Sequence, residues 1–122
     1  MKLINNLKVS KVLITGPDTK VSDLLKTMTE NSISIAIVRD GKVLGTVSKE
    51  RLEKIERPEE PVSEFINENV ITVTGDEDSL YLLSLLLKNK LDCLVLTKRN
   101  KILGALTLSD LLYSIQKRAE LS

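Results

Sequence analysis

Displaced by 59 residues, the chain lies on itself without a gap. Thr15 falls on Thr74, Gly16 on Gly75, Leu24 on Leu83 and Lys42 on Lys101; Leu44 falls on Leu103, Gly45 on Gly104 and Leu52 on Leu111. A few identities arise by chance. Matching turns, strand order and helical phases along the whole length do not, so the pattern reads as an internal duplication. The repeats are assigned to residues 1–57 and 58–122, together one compact module.

Each copy has the same expected order. Val12–Thr15 is a short apolar run stopped by Gly16-Pro17-Asp18, a strand followed by a turn. Val21, Leu24, Leu25 and Met28 then recur at helical spacing. Ile33 to Val38 and Lys42 to Val47 flank Asp40-Gly41, a pair that suits a type I′ hairpin turn with φ > 0 at both residues. Ser48 is placed to cap a second helix with Leu52 and Ile55 inside. Two prolines with acids between them, in Arg57 to Pro61, make a connector, with a short helical turn expected over 62–66. The second copy runs from the strand at Val70–Thr74, through a helix over 80–88, to strands at Cys93–Thr97 and Ile102–Thr107. Arg99-Asn100 is the turn equivalent to Asp40-Gly41, since Asn tolerates the left-handed region.

Composition removes several function classes. The chain has no histidine, hence neither the commonest general base nor the commonest metal ligand. No glycine-rich phosphate loop or activated thiol environment is visible, so no enzyme is expected. Asp76, Glu77 and Asp78 read as a helix start, not a metal site. Phe65, Tyr81 and Tyr113 are the only aromatics and net charge is +1, which leaves neither stacking platforms nor a basic field for nucleic acid. Cys93, alone among Leu94, Val95 and Leu96, reads as a buried structural thiol. The N-terminal run Met1 to Lys8 is too short in apolar residues for a signal peptide, and Leu80 to Leu87 is far below a membrane span. A cytoplasmic protein is expected.

The stretch Gly104 to Leu112 carries the candidate chemistry. An apolar strand delivers Thr107 and Asp110 to the start of a helix, where threonine and an acid three residues on form a capping-box pattern. Such a place offers free N–H donors and a positive dipole end, suited to polar or anionic ligands. The same residues read equally well as a helix cap.

The doubled strand–helix–strand–strand–helix unit, with an Asp-Gly-Lys-Val-Leu-Gly hairpin at 40–45 and a Gly-x-apolar-Thr-x-x-Asp-Leu-Leu close at 104–112, resembles a CBS domain; two in tandem resemble a CBS pair, or Bateman module. The resemblance covers residues 7–114 and implies an α+β fold. Its two β-α-β-β-α repeats would be related by a pseudo-twofold axis, with sheets facing and helices outside. It further implies a regulatory module that binds an adenosine-containing ligand (AMP, ADP, ATP or S-adenosylmethionine) and acts on a separate partner protein. Carried over by position, Thr107 and Asp110 would meet the ribose hydroxyls, and Thr72, Val73, Thr74, Leu91 and Asp92 would lie near adenine. Ser48, Lys49 and Arg51 would face a phosphate tail.

This chain departs from the family pattern at Arg51, which stands where the first repeat should carry its ribose acid. A guanidinium only donates hydrogen bonds, so the first repeat is not expected to hold ribose. The proline usual before the middle strand is also missing; Ala36 is found in repeat one. The alternative is a structural or dimerisation module without a physiological nucleotide ligand. A homodimer is expected in either case. In the helix over 80–88, Leu80, Leu83 and Leu87 would face inward, while Tyr81, Leu82, Leu85 and Leu86 make it apolar nearly all round. Leu112, Tyr113 and Ile115 of the closing helix are expected to join that contact.

Overall fold

A computed structural model describes residues 7–121 of the chain. Met1–Asn6, most of the run set against a signal peptide, lie outside the described residues. The described residues pack as two units: Lys11–Val70, and the residues from Ile71 to Leu121 joined by Leu7–Ser10. Among the described residues no helix is long and apolar enough to cross a membrane.

The first unit contains β1 (Val12–Thr15), α1 (Val21–Glu30), β2 (Ile35–Asp40), β3 (Lys42–Ser48) and α2 (Lys49–Glu53). Its sheet order is β1-β2-β3, with β1 parallel and β3 antiparallel to β2. The parallel pair needs a crossover, and α1 supplies it. Val21, Leu24 and Met28 are buried against Ala36, Val38 and Val47, as their spacing requires. The connector is bonded to this unit: Val21 N–H donates to the Glu60 carbonyl, Val62 N–H to that of Thr19, and a 3₁₀ turn forms over Val62–Glu64. Asn67 then bridges Thr46 of β3 through two backbone bonds of 3.0 and 2.8 Å.

The second unit contains β4 (Thr72–Val73), α3 (Ser79–Lys88), β5 (Cys93–Lys98), β6 (Lys101–Thr107) and α4 (Leu108–Leu121). Its sheet order and strand directions repeat those of the first unit. Cys93 is buried in β5 and forms no disulfide. Leu82 and Leu86 enter a core with Val73, Leu94, Leu106 and Leu111.

Two sequence expectations are corrected. The ungapped register holds only after the hairpins. Val21–Glu30 maps onto Ser79–Lys88, and β2 onto β5, at a displacement of 58, whereas β3 maps onto β6 at 59. The extra residue sits in the turn. Asp40 pairs directly with Lys42 around Gly41 alone, while Lys98 pairs with Lys101 around Arg99 and Asn100. Arg99 and Asn100 both have positive φ (52° and 64°); in the first turn Gly41 does (73°) and Asp40 does not. Second, the inner face of α3 is Leu82 and Leu86, not Leu80 and Leu87, which are 60% and 57% exposed. Leu83 and Leu85 are partly buried against the same core.

Candidate functional site

Thr107 ends β6 and α4 begins at Leu108, so Asp110 lies in the first helical turn. Asp110 Oδ2 accepts from the Thr107 backbone N–H at 3.0 Å, and Asp110 N–H donates to Thr107 Oγ1 at 3.2 Å. These bonds form a reciprocal capping box, which satisfies donors that a helix start otherwise leaves free. The carboxylate is only 2% exposed. A third group reaches it: Ser10 Oγ donates to the same Oδ2 at 2.6 Å, across 100 residues of chain.

Ser10 arrives on a short segment, Leu7–Ser10, which lies along β6. Ser10 and Ala105 exchange both backbone bonds, each 2.9 Å, and Lys8 N–H donates to Ser114 Oγ at 2.9 Å. Ser114 Oγ in turn donates to the Asp110 carbonyl at 2.8 Å. Gly104 makes the approach possible, since a Cβ there would lie 2.6 Å from both the Ser10 carbonyl oxygen and Val9 Cγ1. Gly45 does the same for the connector, where a Cβ would lie 2.6 Å from the Asn67 oxygen. Both glycines are therefore close-approach positions. Ser10 was not singled out from sequence, because a serine before a strand carries no sign of a partner so far along the chain.

The residues expected near adenine divide between two ends of the second sheet. Thr107 pairs with Cys93, so Leu91 and Asp92, just before β5, share its end. Thr72 is exposed, and Val73 is buried in the core at 4% exposure. Thr74 follows β4 toward the opposite, hairpin end, where it rims a cavity of about 520 Å³. Val9, Leu96 and Leu103 also line that cavity, together with Lys98 and Arg99. At its edge the Glu77 carboxylate accepts from the N–H groups of Thr74 (3.1 Å) and Gly75 (2.8 Å). Partial burial pushes the Glu77 pKa up, but the combined hydrogen bonds outweigh it and hold the group below its usual range. Asp78 caps α3 through the Leu80 N–H at 3.3 Å.

In the first unit, Ser48 caps the five-residue α2 by accepting from the Arg51 N–H at 3.1 Å. The Lys49 N–H donates to the Ser34 carbonyl, and the Arg51 side chain is exposed. Arg51 occupies the position of Asp110 at the displacement of 59 that relates β3 to β6. No acceptor stands there. On the surface of the second unit, Leu80, Tyr81 and Leu87 of α3 and Leu112 and Tyr113 of α4 are all exposed.

The CBS domain family model matches residues 5–55 and again 62–117. The chain belongs to the CBS-domain family. Its fold is that of a CBS pair. It is similar to the CBS domain pair of protein MJ0100, solved with 5′-methylthioadenosine and S-adenosylmethionine (TM-score 0.77, 16% identity, covering 97% of this chain and 98% of that one). It is likewise similar to CBSX2 solved with AMP (TM-score 0.71, 19% identity, covering 97% and 98%). A CBS-domain protein from Agrobacterium tumefaciens gives a TM-score of 0.76 at 18% identity, covering 93% and 90%. In sequence, the chain is 28% identical over 123 residues to the A-adding tRNA nucleotidyltransferase of Aquifex aeolicus, matching 93% of this chain but only 15% of that enzyme's length.

Proposed function

We propose that this CBS pair is a non-catalytic, cytoplasmic sensor that binds one adenosine-containing ligand (AMP, ADP, ATP or S-adenosylmethionine) and regulates a separate partner protein. The observation that carries the reading is Asp110, a buried carboxylate at a helix start that already accepts a hydroxyl. Acceptance of hydroxyls is the chemistry that ribose recognition requires, and a charged acceptor strengthens it. Two structural relatives hold adenosine compounds, which supports the ligand class. Thr107 and Asp110 are assigned to ribose, and Thr72, Leu91 and Asp92 to the neighbourhood of adenine. With Arg51 in place of the acid, the first repeat takes no ribose, so binding is one ligand per chain.

Calorimetry with AMP tests this. Asp110→Ala should lose between about tenfold and a few hundredfold in affinity, the equivalent of roughly 1.5–3 kcal/mol for a charged hydrogen bond. A cap alone predicts about 1 kcal/mol of lost stability with affinity intact. AMP binding as tight in Asp110→Ala as in the wild type removes the assignment.

The second reading, a dimerisation module without nucleotide, is favoured by the exposed apolar residues of α3 and α4. Dimerisation through these helices is compatible with either function. The ligand-free reading alone expects no thermal shift with any of the four ligands, where a ligand at about 100 times its Kd stabilises by about 2.7 kcal/mol. Light scattering at high micromolar concentration tests the dimer separately; a monomer there overturns it.

A further inference from the structure

The Ser10 hydroxyl occupies an acceptor oxygen of the carboxylate to which the proposed ligand is assigned. Asp110 is 2% exposed and its Oδ2 already takes two donors, one of them the Ser10 hydroxyl at 2.6 Å. The Thr107 N–H belongs to the helix cap and stays with it. Ser10 belongs to a segment held to β6 by one bridge to Ala105, and to α4 by the Lys8 N–H on Ser114 and the Lys8 ammonium over the Tyr113 ring, with Leu7 packed against the core. A ligand hydroxyl arriving at Oδ2 therefore exchanges with another hydroxyl. Such an exchange costs little in hydrogen bonding, because one neutral donor replaces another of the same kind. What changes is the attachment of the segment.

The first unit supplies the control. There Asn67 makes the corresponding backbone bridge, to Thr46 over Gly45. The position equivalent to Asp110 is Arg51, exposed and able only to donate. The bridge is common to both units, but a hydroxyl on a buried carboxylate occurs in the unit that keeps the acid.

We propose that Ser10 is a built-in substitute for the ligand hydroxyl and that Leu7–Ser10 is a ligand-responsive strap. When ribose takes Asp110 Oδ2, Ser10 is displaced, the Ser10–Ala105 bridge opens and the segment leaves β6. Occupancy of the site is thereby reported in the position of the polypeptide ahead of β1. The inference rests on the adenosine-binding reading and adds a regulatory contact to it.

Two measurements on the full chain test the strap, with AMP as the probe. Ser10→Ala removes the competing hydroxyl, so it should bind AMP about three- to tenfold more tightly than the wild type. In the wild type, the Ser10 and Ala105 amides should exchange faster with solvent when AMP saturates the site. Unchanged or weaker binding in Ser10→Ala, or amides equally protected with and without AMP, overturns the strap. In that case the ribose site still stands if Asp110→Ala loses affinity. Failure of both the wild type and Ser10→Ala to bind AMP, ADP, ATP or S-adenosylmethionine overturns the strap and the sensing reading together.

Discussion

The two CBS repeats share a topology and differ where chemistry is concentrated. Both use a parallel pair joined by a ten-residue helix, a bulged hairpin and a glycine that lets a neighbouring segment lie against the last strand. The first repeat closes the connection between β1 and α1 with a pair of hydroxyls, Thr15 and Thr19, 2.7 Å apart. The second closes the matching connection with a carboxylate, Glu77, on two backbone N–H groups. At the start of the last helix the first repeat has an exposed Arg51 and the second a buried Asp110. Duplication has preserved the backbone contacts, which depend on having no side chain, while the polar groups at equivalent places have diverged.

The most severe test of this comparison concerns the helices. If α3 is turned as described, Leu82→Ala should cost about 2–5 kcal/mol and Leu80→Ala no more than about 0.5 kcal/mol in urea unfolding. Equal costs would restore the ungapped alignment of α1 with α3. Next come the glycines. Gly104→Ala and Gly45→Ala should each destabilise by about 1–3 kcal/mol, because the obstructing atoms include backbone oxygens that cannot swing away. A loss confined to one of them would show that only one segment is tightly seated.

A smaller effect separates the repeats by pH. Glu77→Gln should cost about 1 kcal/mol at neutral pH, a modest figure because solvent screens the site. Glu77 has a folded pKa below its ordinary 4.5, so its contribution is complete above that value and disappears as pH falls through the folded pKa. The difference between wild type and variant should therefore shrink in acid. Thr19→Val in the first repeat removes a hydroxyl contact that does not titrate, and its cost should not vary with pH. The smallest effect is in the hairpins. Arg99→Gly relieves a left-handed non-glycine residue and should gain about 0.5 kcal/mol, whereas Gly41→Ala should lose about 1 kcal/mol.

The fold was legible because its signals are short-range: a helical stripe at Val21, Leu24 and Met28, turn residues at Gly41 and Asn100, and caps at Ser48, Asp78 and Thr107. Two things were hidden for physical reasons. A helix with leucine or tyrosine at seven of its ten positions carries almost no phase information, so packing alone decides which leucines go inside. The one-residue difference between hairpins is masked because Gly45 and Gly104, the strongest landmarks, lie after it; Thr15/Thr74 and Leu24/Leu83 are matches that the backbone does not honour. At the site, the box of Thr107 and Asp110 could be read from spacing. Its third member could not, since Ser10 lies 100 residues away.

The placement of Leu7–Ser10 in the second unit also constrains how the chain is made. During synthesis these residues emerge before both units and have no place to bind until Ala105 and Asp110 follow them out, whereas the first unit is complete once Val70 has appeared. Closing a loop of that size carries a length-dependent entropy cost on the order of 4 kcal/mol, so docking of the strap should be a late step in folding. A fragment begun at Ile71 would lack its own covering segment and present β6 as an open sheet edge, a surface prone to pair with other chains. Expressed alone, the C-terminal repeat should aggregate, and a synthetic peptide spanning residues 7–10 with flanking sequence should suppress that aggregation by covering the edge.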